Sequence, residues 1–297
     1  MKNIILIVCS LLPVLLWGQD RSGMYPYLLT PGYVNPAANG PLTHTDVQLI
    51  SRTAFGRAEG LPRTFGGMVS FPMANHSAVG GKVLADLRGP QRIFTSELNY
   101  AKGVRLAHQH MLYLGFSGGI TQFSLNRQDV NAYTELPDQL IAGNLDGKLR
   151  FSAGAGLYYT LGRSLEIGLS APALVTSGYA INQDFYGMAA YTFFFGADSL
   201  VKVKPMVWYH RTSTQQDVAD LLLNVGYKDA VWVQGGYRTN QAFTIGAGAY
   251  FKWFGFGYIA HLNESSYGQA VRGMHEVQLR FRFGYGNNNK EVVPVTR

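Results

Sequence analysis

From residue 47 to residue 284 one pattern constrains the fold more than any other. Apolar residues alternate one by one with polar residues or glycine, in segments of about ten residues closed by turn residues. In the last segment Val277, Leu279, Phe281 and Phe283 share one parity, and Glu276, Gln278, Arg280 and Arg282 the other. Val201, Val203, Val207 and Tyr209 likewise oppose Lys202, Lys204, Trp208 and His210. Leu112, Leu114, Phe116 and Ile120 oppose Tyr113, Gly115, Ser117 and Gly119. Successive side chains of a strand point to opposite faces, so each segment has one apolar face and one face rich in glycine with scattered cations. The segments fall near 47–57, 64–72, 78–88, 91–106, 110–125, 149–161, 165–175, 184–196, 200–211, 216–227, 230–238, 241–252, 254–262 and 274–284. About fourteen strands, an even number, suit a closed transmembrane antiparallel β-barrel with its apolar face turned to lipid. A water-soluble sandwich would turn the same face inward, so further features must decide.

Three features favour the membrane. After the first residues no run of about 18 apolar residues occurs, so no helix is available to span a bilayer and a barrel is the remaining way across. The chain carries 35 Gly, 18 Tyr and 17 Phe but only 14% charged residues, which suits a barrel with aromatic girdles. The N-terminus reads as a secretory signal: Lys2 precedes an apolar run at 4–17, and Gly18 precedes Gln19. Cys9, the single cysteine, lies inside that run, so the processed chain is expected to have no disulfide or thiol chemistry.

The expected organisation is therefore a signal peptide at 1–18, cut near Gly18/Gln19, and a non-strand arm at 19–46, periplasmic or lumenal. The barrel follows at 47–284 and a polar tail at 285–297. The arm holds Tyr25-Pro26-Tyr27, Thr30-Pro31-Gly32 and Asn35-Pro36-Ala37, which are turn and extended signals. Two long polar connections stand out, at 126–148 and 263–273.

Chemistry-bearing motifs are weak. Gly115-Phe-Ser-Gly-Gly119 matches a nucleophile elbow, but that motif needs a strand–turn–helix, and Ser117 lies inside an alternating segment. His108 and His110 have the spacing to share one face of a strand, yet no cysteine or carboxylate cluster accompanies them, and a turn with two exposed histidines is the simpler reading. Asp129, Glu135, Asp138 and Asp146 share one loop without calcium-loop spacing. The net charge of +7 is spread without a basic run, which argues against nucleic acid. No enzyme activity, metal or cofactor is expected.

The order of several segments resembles the PorP/SprF family of type IX secretion system outer-membrane proteins of Bacteroidetes. Leu29-Thr-Pro-Gly-Tyr-Val-Asn-Pro-Ala37 is similar to that family's early Asn-Pro-Ala segment. Gly154-Ala-Gly-Leu-Tyr-Tyr159 and Ile167-Gly-Leu-Ser-Ala-Pro172 resemble its strand cores. Val231-Trp-Val-Gln-Gly-Gly-Tyr-Arg238, Phe256-Gly-Tyr258 and His275-Glu276 follow in the family's order. The chain departs from the pattern at Ile259-Ala260-His261, where an Asp is common, and in the length of its tail.

The resemblance implies a non-enzymatic outer-membrane barrel that helps particular secreted proteins, gliding adhesins in some relatives, to be exported or anchored at the surface. It implies as partners the cargo or its C-terminal domain, the secretion machinery and outer-membrane lipid. It carries over no catalytic residue. The candidate partner-binding residues are Asn35 and Pro36 of the arm, and Lys202, Lys204, Arg238, Arg280 and Arg282, whose shared parity aims cations at the lumen. A passive channel or porin shares the same fold and stays open as the alternative, and an outer-membrane hydrolase would require Ser117.

Overall fold

The computed structural model describes residues 30–56, 60–125, 147, 149–177, 184–212, 217–239, 242–262 and 271–284. The expected signal peptide and its cut, the arm at 19–29, the acidic loop and the tail at 285–297 lie outside the described residues.

The strands are β1 (Thr45–Gly56), β2 (Arg63–Met73), β3 (Ser77–Arg88), β4 (Gln91–Ala107), β5 (His110–Leu125), β6 (Leu149–Leu161) and β7 (Leu165–Thr176). They continue as β8 (Asp184–Tyr191, resuming as Phe193–Phe195), β9 (Val201–Thr212), β10 (Val218–Tyr227), β11 (Val231–Arg238), β12 (Phe243–Tyr250), β13 (Phe254–Leu262) and β14 (Val271–Phe283). Each pairs antiparallel with its sequence neighbour, and β1 pairs with β14 from Thr45↔Phe283 to Gly56↔Val271. The result is a closed 14-strand antiparallel barrel. Closure leaves no strand edge whose amides and carbonyls would face lipid unpaired.

The alternation sets the faces. Leu49, Leu98, Phe116, Leu169, Val233 and Ile245 stand exposed on the outside, whereas Gln48, Asn99, Ser117, Ser170, Gln234 and Thr244 of the opposite parity are buried within. Exposed aromatics gather at both ends of this apolar band. Phe193, Phe195, Tyr227, Phe251 and Trp253 lie at the end where β8 meets β9, and Phe151, Phe185, Tyr237 and Phe243 lie at the other. Amphipathic and aromatic rings favour the headgroup level, so these are the girdles of a membrane barrel.

Two irregularities have local causes. Pro205 of β9 stands between the pairs Met206↔Ala190 and Val203↔Phe193, opposite the place where β8 is interrupted at Thr192. Proline has no backbone N–H to give to the ladder. Between β6 and β7 the register shifts at Ala153/Ala155, and a Cβ on Gly154 would stand 2.3 Å from the Pro172 carbonyl oxygen, so only glycine fits the bulge. The polar connection expected at 263–273 is shorter than its sequence suggests, because β14 already begins at Val271 and pairs there with β1.

The short turns 74–76, 108–109, 162–164, 228–230 and 251–253 share one end with the start of β1 and the end of β14. In barrels of this kind short turns face the periplasm and longer loops the exterior.

Candidate functional site: a lumen occupied by the N-terminal arm

The described part of the arm, from Thr30 to the start of β1, lies inside the barrel. Two 3-10 turns shape it, Pro31–Tyr33 and Pro36–Asn39, each with proline at its first position, where the fixed φ is already suitable and no amide is missed. Asn35 caps the second turn: its Oδ1 accepts from the Ala37 amide at 3.0 Å. Its Nδ2 donates to the carbonyls of Leu157 at 2.9 Å and Leu169 at 3.4 Å. One side chain thus orders the turn and fastens it to β6 and β7. Val34 and Ala37 join a core of Tyr113, Tyr158, Met188, Met206 and Trp208, and Tyr33 packs with Ile50, Met68 and Leu84. Where the arm runs into β1, burial, with help from the charges of Arg280 and Arg282, holds the His44 imidazole below its ordinary pKa.

Glycines make the recess. A Cβ on Gly115 would stand 2.2 Å from the Ala37 amide nitrogen, and one on Gly156, its partner across β5 and β6, would stand 2.1 Å from Asn35 Oδ1. The glycine face of these strands is therefore the seat of the arm, and not merely a thin wall. Asn35→Ala removes the cap and leaves carbonyls without their donor. It is expected to weaken arm docking by about 2 kcal/mol, seen as faster amide exchange across 30–44 with the barrel strands unchanged.

Buried ion pairs line the rest of the lumen. Lys82 donates to the Tyr33 carbonyl at 2.6 Å and sits 3.1 Å from Glu97, with all three groups withdrawn from solvent. Arg238 grips Asp220 through two parallel hydrogen bonds of 2.6 and 2.9 Å. Arg280 donates to Asp46 at 2.6 Å, and Asp46 also accepts from Gln48, which in turn accepts from Thr30 of the arm. Glu276 is almost wholly buried, accepts from Gln278 and lies 3.8 Å from His261. In a low-dielectric interior each charge needs such a partner.

Beside the arm, on the β8–β12 side, a cavity of about 310 Å³ opens at the short-turn end. Arg163, Lys202, Lys204, Phe194, Trp232 and Tyr250 are among its walls. Lys204 pairs with Glu166 at 2.7 Å, Lys202 pairs with Asp229, and Lys202 and Arg163 both stand over the Phe194 ring.

The residues singled out in the sequence separate into three groups. Asn35 and Pro36 are buried in the arm's seat. Lys202, Lys204, Arg280 and Arg282 converge at the short-turn end around Tyr250, which lines the cavity, hydrogen-bonds Arg280 and lies 4.8 Å beneath the Arg282 guanidinium. Arg238 stands apart at the opposite end, engaged with Asp220. Ser117 lies mid-strand in β5 facing the lumen, and its Oγ has no hydrogen-bond partner among the described residues. His108 is in an exposed turn, while His110 opens β5 and bonds the Tyr159 hydroxyl at 2.6 Å. Among the described residues no cluster of His, Cys, Asp and Glu has metal-binding form. Sequence reasoning missed the lumenal core of Tyr, Met and Trp, although the inward parity of Tyr158, Met206 and Trp208 was there to be read.

Such an architecture, with a closed barrel, girdled exterior and polar lumen, is that of an outer-membrane β-barrel. Omp33 of Acinetobacter baumannii has the same fold: TM-score 0.50 at 9% identity, over 81% of this chain and 98% of that one. The toluene transporter TodX of Pseudomonas putida aligns over 86% of this chain and 91% of its own, at 9% identity and TM-score 0.48. No curated protein matches the chain. The family model for the type IX secretion system membrane protein PorP/SprF matches residues 19–281, and the chain belongs to that family. It is an outer-membrane component of the type IX secretion system.

Proposed function

We propose that this barrel assists the export or surface anchoring of particular secreted proteins and has no catalytic role. The observation that carries this reading is an arm docked in the lumen of a secretion-family barrel, fastened by Asn35, Lys82 and the glycine recess. A lumen so occupied suits a scaffold that engages a partner better than it suits free diffusion. The secretion machinery and a cargo domain are the partners of this reading, with lipid around the outer face. Asn35 and Pro36 serve it indirectly, by holding the arm. Contact with a partner at the periplasmic mouth falls to Lys202, Lys204 and Arg282.

The test is deletion of the gene in its own host, followed by comparison of the cell-surface and culture-medium proteomes. Loss of one or a few secreted proteins from the surface, restored by the wild-type gene, is the expected result. An unchanged surface proteome with impaired uptake of small solutes would favour the passive channel instead.

A further inference from the structure

The cavity beside the arm has a composition that calls for a particular ligand. Three cations belong to its walls, Arg163, Lys202 and Lys204, against the one carboxylate of Asp229. Trp232 and Gln234 stand in the same wall, with their Nε1 and Nε2 donors covered and without acceptors among the described residues. Both side chains are more than nine-tenths buried, at 6% and 3% exposure. Phe194, Tyr250 and the Trp232 ring add flat aromatic surface, beside the polar Thr192 and Asn224. The volume of about 310 Å³ lies at the lower edge of ligand pockets, roughly 300–1,000 Å³.

We propose that this cavity is a binding site for a carboxylate carried beside an aromatic ring, entering from the short-turn, periplasmic end. The carboxylate meets Lys202 and Lys204, and the ring lies against Phe194 and Tyr250. Arg163, stacked 5.2 Å from the Phe194 ring, closes the mouth over it. The cations already hold carboxylate partners: the side chains of Lys202 and Asp229 are 21% and 59% exposed, and those of Lys204 and Glu166, a half-buried pair, 27% and 24%. The exposed Lys202–Asp229 pair is worth about 0–1 kcal/mol and exchanges readily for an incoming carboxylate, whereas Glu166, which also accepts from the Tyr158 hydroxyl, stays on Lys204. The chemistry has two sources, an acidic-aromatic peptide segment or a free aromatic acid.

The full chain in detergent micelles is titrated with a peptide of alternating Asp and Phe carrying an uncharged BODIPY label, with a likewise labelled peptide of alternating Lys and Phe as control, and with phenylacetate as competitor. Saturable anisotropy change with the acidic peptide, at least tenfold weaker with the basic one, is expected. The double variant Lys202→Gln/Lys204→Gln should weaken it at least tenfold, and Tyr250→Leu, which removes an aromatic wall, severalfold. Heat-modifiable gel migration confirms that each variant is a folded barrel. Displacement by phenylacetate at concentrations comparable to the peptide assigns the site to free aromatic acids, and displacement only at far higher concentrations assigns it to peptides. Equal binding of acidic and basic peptides, absence of saturable binding by either acidic probe, or unchanged affinity in the folded double variant overturns the proposal. The secretion role is read separately, from surface proteins in cells; assignment of the site to free aromatic acids would move only the partner contact away from Lys202 and Lys204.

Discussion

Removal of residues 30–44 is expected to turn this barrel from an insulator into an ion-conducting pore in a planar bilayer. The arm fills the β3–β7 side of the lumen, and the walls it leaves behind mix apolar Tyr113, Tyr158 and Met188 with polar and charged Lys82, Glu97, Asn99 and Gln48. Such walls would hydrate once the arm is gone. Gly115→Leu should reach the same state without a deletion. The new Cβ would stand 2.2 Å from the Ala37 nitrogen and 2.5 Å from the Pro36 carbonyl carbon. Those are backbone atoms, so no rotamer change relieves the clash, and the arm must move out. Gly118→Leu, on the outer parity of the same strand with nothing within 4 Å of its Cβ, is the control and should stay silent. A folded arm-deleted barrel that still does not conduct would falsify the view that the arm is what closes the lumen.

Lys82→Met is expected to lower barrel stability by about 3–5 kcal/mol in guanidinium unfolding followed by tryptophan fluorescence, because it abandons a buried carboxylate. Glu97 is only 8% exposed and would be left with no ammonium beside it, while the Tyr33 carbonyl loses its donor. Adding Glu97→Leu removes the stranded charge. A buried ion pair replaced by apolar groups of like volume is often close to neutral. The double variant should therefore recover most of the loss and retain about 1–3 kcal/mol, the cost of the unpaired Tyr33 carbonyl. That remainder is the part of the interaction that belongs to the arm. Equal destabilisation in single and double variants would place the whole effect on the arm contact and none on the ion pair.

The two experiments address one device. Lys82, Asn35 and the glycines at 115 and 156 come from β3, the arm, β5 and β6, and together they hold a segment that has no regular pairing of its own. What the arm lacks in ladder hydrogen bonds it regains from side chains and wall carbonyls, as a buried backbone must.

How far the sequence reaches can be read strand by strand. The segments foreseen at 149–161 and 254–262 are the observed β6 and β13, since strict alternation between clear turn residues leaves no other register. β8 was foreseen as one continuous segment over 184–196, but its break at Thr192 is imposed from outside it, by Pro205 of the neighbouring strand. The cations of Lys202, Lys204, Arg238, Arg280 and Arg282 read alike in the sequence because they share parity. The structure separates a bidentate, buried Arg238 from lysines that line an open cavity, and no local pattern distinguishes those two fates.

The sequence by itself determined that the chain forms a closed barrel, which residues face lipid, and that residues 30–44 ahead of the first strand are not a strand. These are properties of neighbours along the chain, and period two is legible wherever one face meets a different solvent from the other. Only the tertiary structure decided that the arm sits inside, which glycines receive it and which charges pair. Asn35 meets the Leu157 carbonyl across 122 positions of sequence, and Arg280 meets Asp46 across 234. Contacts at that distance exist only once the barrel has closed and brought its walls around a common lumen.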